Sequence, residues 1–272
     1  MGQADGGVDT RPAVLPPAPR LLRAELDALA ADLAVHDVTE VDRMLGAVAA
    51  AALHRGQPAA ALAVTAASNT PLAALVRVFV LGGMAARAEL DRALPLSGVA
   101  GLERIGLAAA AGAAPDDDVV ALVDLRPVTV EAAGDGAPVT WWVASDLGSE
   151  VTGAVLHPDH VLGVGGASLT LAGLTVPGHR ARALDLGTGC GVQALVATRR
   201  ADHVIATDVS ARALAFAAVN GAIAGADLDL RRGSLLAPVF GEQVDLLVSN
   251  PPFVISPRSG VGPSGTRLTS YT

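Results

Sequence analysis

Leu22, Leu26, Leu29 and Leu33 recur at spacings of four and three, with Arg23, Glu25, Asp27 and Asp32 between them, so an amphipathic helix is expected from about residue 21. The Ala-rich run Val41 to His54 keeps a helical pattern until Gly56 and Pro58 interrupt it. Thr70-Pro71 joins a cap residue to a first-turn proline, and Leu72, Leu75, Val76 and Phe79 then line one face up to Gly82-Gly83. Arg87 to Leu94 and Val99 to Ala111 read as two further helices. Val119 to Val130 and Val139 to Ala144 read as strands joined across Gly134-Asp135-Gly136, with Trp141 and Trp142 on opposite faces.

From about Val151 the texture changes to Gly-rich turns and apolar β-branched runs. Ala181 to Leu186, His203 to Asp208 and Val244 to Ser249 read as strands, with a helix from Val192 to Thr198, the alternation expected of βαβ units in a parallel sheet. The chain thus divides into a disordered tail (1–20), a helical N-terminal domain (21–150), an α/β domain (151–257) and an irregular tail (258–272). Three helices followed by a two-stranded wing resemble a winged-helix module.

Composition sharpens this plan. Of 272 residues 51% are apolar but only 3% aromatic, so the core must be built from Ala, Val and Leu. All basic residues are Arg, and the net charge of −8 is concentrated in the middle, where residues 70–150 hold five Arg against eleven acids. Asp116-Asp117-Asp118 stands where a DNA-reading wing would need basic groups, so that module is expected to pack on its neighbour or to grip a protein. The single cysteine, Cys190, excludes an internal disulfide and a cysteine zinc site. No apolar run is long enough to span a bilayer and the start lacks an export signal, so a cytoplasmic protein is expected. His157-Pro158-Asp159-His160 reads as a loop and no metal site is expected, since Pro158 breaks helical ligand spacing.

The strand 181–186 runs straight into Gly187-Thr188-Gly189-Cys190-Gly191 and then a helix. Such a turn suits a ligand that touches backbone at a helix N-terminus, because glycine permits positive φ and close approach. Val192 occupies the position of the sixth residue of a dinucleotide fingerprint, where glycine is wanted. The strand His203 to Asp208 ends in an acid suited to a ribose diol, against the alternative that Asp208 is a helix cap. Asn220, in the following helix, is expected at the surface or the edge of the core.

Asn250-Pro251-Pro252-Phe253 closes the last apolar strand. The prolines end ladder pairing and hold Asn250 extended. The Asn250 carboxamide oxygen and the Pro251 carbonyl offer two acceptors for the hydrogens of a planar nitrogen, and Phe253 offers a stacking surface.

The Asp-x-Gly-x-Gly-x-Gly order from Asp185 to Gly191 resembles motif I of class I methyltransferases, and Asn250 to Phe253 resembles the Asn-Pro-Pro-Tyr/Phe element of amino-group methyltransferases. The resemblance covers about residues 160–257. It implies a Rossmann-like sheet that binds S-adenosyl-L-methionine, with Asp185, Gly187, Thr188, Gly189, Gly191, Asp208 and Asn250 at the cofactor. Ser234 stands where many relatives carry an adenine-contacting Asp. Asn250, Pro251 and Phe253 take the catalytic roles. The implied substrate is a protein glutamine, as in the HemK-like release-factor enzymes, with an adenine or guanine base of RNA or DNA as the alternative. A class I sheet has seven strands, whereas nineteen residues follow Phe253, so the sheet is expected to be truncated after its fourth strand; a non-catalytic binding module is the contrary expectation.

Overall fold

A computed structural model describes residues 14–36, 38–131 and 137–251. Residues 1–13 and 258–272 of the expected tails, the turn 134–136, Pro252 and Phe253 lie outside the described residues.

The N-terminal helices follow the leucine and alanine patterns. Helix α1 (Arg23–Leu33) buries Leu26, Leu29 and Leu33. Helix α2 (Val38–His54) is broken at Gly46, whose φ of 69° lies outside the helical region, and α3 (Ala59–Ala66) packs beside it. Thr70 caps α4 (Pro71–Leu75) by accepting the Ala73 N–H, and the helix runs on as a wider π turn through Val80.

Two expectations shift in the middle of the chain. The helix expected over 99–111 stops early: α5 (Arg87–Ala93) is followed by α6 (Gly98–Ile105), which ends at Gly106 with φ +80°. Ala108–Ala110 then forms strand β2, because its backbone groups find partners in β3 (Asp118–Ala121), which also pairs with β1 (Met84–Ala86). Tertiary pairing overrides the helix preference of alanine here. The strand expected over 119–130 is two strands: β3 belongs to the β1-β3-β2 antiparallel sheet, while β4 (Asp124–Val130) pairs with β5 (Val139–Ser145) as a separate ribbon. Trp142 is buried and Trp141 half-buried against the same core.

After the short α7 (Ser149–Thr152) comes α8 (Gly166–Leu174), a helix without an amphipathic pattern in its sequence. Strand β6 (Arg180–Leu186), α9 (Val192–Thr198), β7 (Ala201–Asp208), α10 (Ala211–Ile223), β8 (Asp229–Arg232) and β9 (Leu246–Ser249) follow. Among the described residues these strands form a four-stranded, all-parallel sheet in the order β8-β7-β6-β9. Alternate residues of β6 and β7 enter different clusters, Ala183, Val204 and Ala206 with α9 and Leu184 and Ile205 with Val239, as period-two strands require.

The two parts of the chain share one core. Leu26, Phe79, Leu102 and Trp142 pack in the same cluster as Cys190, Val192, Phe216 and Val219. A buried ion pair sits at this join. Arg212 of α10 clasps both carboxylate oxygens of Asp146 just past β5, with Nε to Oδ2 at 2.8 Å, and also donates to the Pro16 carbonyl at 2.6 Å. Asp146 additionally accepts the Val161 N–H at 2.8 Å. Pro16 belongs to the stretch 14–20, which, unlike the disordered tail expected there, lies over this join without regular secondary structure and buries Pro19.

Arg212→Ala leaves Asp146 charged, buried and short of its partner, a change that costs about 3–5 kcal/mol. The expected outcome is a large fall in Tm by calorimetry, and a loss under about 1 kcal/mol, the range of an exposed pair, would show that the join does not depend on this pair.

Candidate functional site

Because β6, β7, β8 and β9 run parallel, their carboxyl ends lie along one edge, where such sheets bind ligands. The β6–α9 loop folds over the end of β7: the N–H groups of Gly187 and Thr188 both donate to the Thr207 carbonyl at 2.9 Å. Gly187, Gly189 and Gly191 have φ of +73°, +55° and +88°, which only glycine adopts readily.

The three glycines are not equivalent. A Cβ on Gly187 or Gly189 would meet nothing within 4 Å, so these residues face open space. A Cβ on Gly191 would lie 3.0 Å from the Ala217 side chain, so this glycine lets α10 pack behind the loop.

Asp185 is 1% exposed and faces inward, accepting from the Thr188 hydroxyl at 2.6 Å. Burial pushes its carboxyl up to about 6, against the opposing pull of the Thr188 hydroxyl and the Ala194 N–H. Asp185 and Thr188 therefore brace the loop from beneath. Cys190 is buried too, and burial pushes its thiol up to about 11, which suits packing and not nucleophilic work.

Asp208, at the end of β7, is half-buried. Its Oδ2 accepts the Gly189 N–H at 3.0 Å and its Oδ1 the Ser210 N–H at 2.9 Å. Ser210, and not Asp208, caps α10 by accepting the Ala213 N–H. A carboxylate has about four acceptor positions, so two N–H bonds leave Asp208 able to accept two more. Ser234 is exposed two residues beyond β8, and the neighbouring Gly233 N–H donates to the Asp208 carbonyl at 3.0 Å.

On the other side of the loop, the Ser249 hydroxyl donates to the Leu186 carbonyl at 2.8 Å and pins the end of β9 to β6. Asn250 follows at once, its Nδ2 donating to the Ser168 hydroxyl at 3.1 Å. Ser168 is itself held, since its carbonyl accepts from Gln193 of α9 at 2.7 Å. Ser168 and Gln193 were missed in the sequence: α8 carries apolar residues all round with little amphipathic contrast, and only the Gly165-Gly166 start marks it. Pro251 is exposed. Among the described residues no group of His, Cys, Asp and Glu could hold a metal ion, and no helix is long and apolar enough to cross a membrane.

Residues 165–260 match the methyltransferase small domain family, and residues 33–122 match a domain of unknown function, DUF7059. By sequence, the 165–260 segment is thus similar to HemK-like class I methyltransferases. The chain is 41% identical over 109 residues to the release factor glutamine methyltransferase of Cereibacter sphaeroides, a match covering 34% of this chain and 39% of that protein. It is 42% identical over 77 residues to the ribosomal protein uL3 glutamine methyltransferase of Bradyrhizobium diazoefficiens, covering 27% of this chain and 24% of that one. Such matches span well under half the length of the curated relatives. A ribosomal protein L11 methylase structure from Lactobacillus delbrueckii subsp. bulgaricus shares 33% identity with a TM-score of 0.31, over 36% of this chain and 52% of that one.

Asp185 carries a pH signature. Its pKa is raised in the fold from 3.8 to about 6, so the folded form holds the proton more tightly than the unfolded form. Stability attached to this group is then present below the lower value and is lost as pH rises toward the upper one. Asp185→Asn removes that component, so the Tm of the native protein relative to the variant is expected to fall across this window. A difference independent of pH would contradict it.

Proposed function

We propose that this chain is an S-adenosyl-L-methionine-dependent N-methyltransferase acting on a planar amide or amino nitrogen, namely a protein glutamine of the release-factor type. The observation that carries this reading is a single edge of the sheet that holds an open glycine loop at β6, a carboxylate at β7 and an anchored carboxamide after β9.

The residues present fit the cofactor. The space over Gly187 and Gly189 is where any side chain would intrude on a ligand lying against the backbone. In this reading Asp208 receives the ribose hydroxyls, Ser234 stands at the adenine edge, and Asp185, Thr188 and Gly191 hold the loop in shape. When bound, S-adenosylmethionine supplies an electrophilic methyl group. The chain supplies position: the Ser168 hydroxyl engages the Asn250 amide nitrogen, which leaves the carboxamide oxygen for one substrate N–H. The Pro251 carbonyl takes the other, and Phe253 stacks on the planar group. Orientation of this kind provides much of the rate for a weakly nucleophilic nitrogen.

Two further observations support the protein substrate. The curated relatives are named as glutamine methyltransferases of proteins, and the middle of this chain is acidic, which opposes a phosphate backbone. The order helix, β1, α5, α6, β2, β3 with sheet order β1-β3-β2 supports a winged-helix reading, with Asp116 and Asp117 in the β2–β3 connection and Asp118 opening β3. In our reading this module packs on the methyltransferase part or contacts substrate, and the division into 21–150 and 151–257 is one of role, since the core is continuous. A release-factor substrate sets the reaction in the cytoplasm.

Calorimetric titration with S-adenosylmethionine is expected to show saturable binding, and its absence at millimolar ligand removes the reading. Gly187→Ala should abolish that binding while adding only the left-handed cost of about 1–2 kcal/mol. With labelled cofactor, label is expected in release factor and not in separate RNA or DNA pools; label in nucleic acid alone selects the base as substrate. Ser168→Ala frees the Asn250 amide, so kcat should fall about tenfold, the effect of one oriented hydrogen bond, with cofactor affinity retained. An unchanged kcat would show that Ser168 does not set the carboxamide.

A further inference from the structure

Asn220 was expected at the surface or core edge, yet it is fully buried near the end of α10 and spends its carboxamide on two distant backbone segments. Its Oδ1 accepts the Ala144 N–H and its Nδ2 donates to the Ala144 carbonyl, both at 2.8 Å, so it pairs with β5 as a strand residue would. The same Nδ2 donates to the Cys190 carbonyl, again at 2.8 Å. One side chain thus joins the β4–β5 ribbon to the middle of the glycine loop.

The Cys190 carbonyl is a consequential place for this bond. The Cys190–Gly191 peptide is planar, and Gly191, at φ +88°, gives one of the two bonds about which that plane turns the freedom of glycine. In this fold the plane is held at both ends: Asn220 takes its C=O, and the Thr188 carbonyl accepts its N–H at 2.9 Å. Gly189, one residue back, is tied to Asp208. Without the Asn220 bond the carbonyl would be buried and unpaired, and turning the plane to find a partner would break the Gly191–Thr188 bond as well. Two turns earlier on the same helix, Arg212 grips Asp146, two residues beyond Ala144, so α10 is clamped to the end of β5 at two points.

We infer that Asn220 is a positioning residue through which docking of the β4–β5 ribbon sets the geometry of the glycine loop, so that the N-terminal part of the chain governs cofactor affinity without touching the cofactor. For its effect on binding this rests on the S-adenosylmethionine reading; for its effect on loop geometry it does not.

Asn220→Asp removes the donor that reaches the loop while keeping one bond to β5. The carboxylate keeps the shape and the acceptor for the Ala144 N–H, but turns acceptors toward the carbonyls of Ala144 and Cys190. Val219→Ala is the control: it thins the same helix in the shared core and does not bond the loop. Amide hydrogen exchange at Gly191 and Val192 in the ligand-free chain, and the Kd for S-adenosylmethionine, are measured for each. Asn220→Asp is expected to speed exchange at these amides and to weaken binding about tenfold, while Val219→Ala lowers Tm and changes neither. Native exchange in Asn220→Asp, or an equal loss in Val219→Ala, overturns the inference. If Asn220→Asp does not fold, Val143→Ala, which loosens β5 with Asn220 in place, decides: exchange at Gly191 should rise, and unchanged exchange overturns the coupling. Absence of cofactor binding in the native chain removes the functional reading alone, because exchange still reports the loop.

Discussion

The buried pairing of Arg212 with Asp146 is the constraint on which the rest of the molecule turns. Two charges removed from water carry a desolvation cost that their attraction repays only when geometry and additional hydrogen bonds are good. Here the guanidinium is bidentate, its third nitrogen donates to the Pro16 carbonyl, the carboxylate collects the Val161 N–H, and the Phe216 ring lies 5.4 Å from the guanidinium carbon. The pair therefore fixes four pieces of chain at once: the N-terminal stretch, the end of β5, the segment before α8, and α10. A hydrophobic contact at this place would hold them together but would not fix their register, because burial is non-directional.

That register is transmitted to the glycine loop because α10 and the residues leading into it touch the loop at two points. At its N-terminus Ser210 caps the helix, and the preceding Asp208 ties the end of β7 to Gly189. Near its C-terminus Asn220 holds Cys190. The glycine loop is consequently held by Asp208 at Gly189 and by Asn220 of α10 at Cys190, while its Gly187 and Gly189 face open space. Asp185 and Thr188 are part of the grip. An acid lifted to about 6 by burial is a poor place for a permanent charge but a good acceptor for a hydroxyl and an N–H, which is how it is used.

How much of this was legible in the sequence depends on whether the signal was local. Thr70-Pro71, the strand ending at Leu186, the loop 187–191, Asp208 and Asn250 are each read from a few neighbouring residues, and each stands where its local chemistry puts it. The misread pieces are those whose fate was decided by distant partners. Ala108–Ala110 is as good a helix former as any in the chain, but Gly106 ends α6 and β3 supplies hydrogen bonds that a helix end could not. Asn220 looked peripheral because an amide in an Ala-rich helix gives no hint that two backbone segments, 76 and 30 residues away in sequence, will converge on it.

Ser168 illustrates the same limit at the site itself. Helix α8 has no amphipathic contrast to announce it, and a serine within it is unremarkable until β9 delivers Asn250 to its hydroxyl. The place of Asn250 at a strand end could be read from the sequence because Pro251 restricts its backbone. The orientation of its carboxamide could not, since that is decided by which end of the amide meets a donor or an acceptor. Gln193 adds a layer, holding the Ser168 carbonyl from the helix that the glycine loop starts. The loop and the carboxamide are thereby linked through α8, by Gln193 at the Ser168 carbonyl and Asn250 at its hydroxyl.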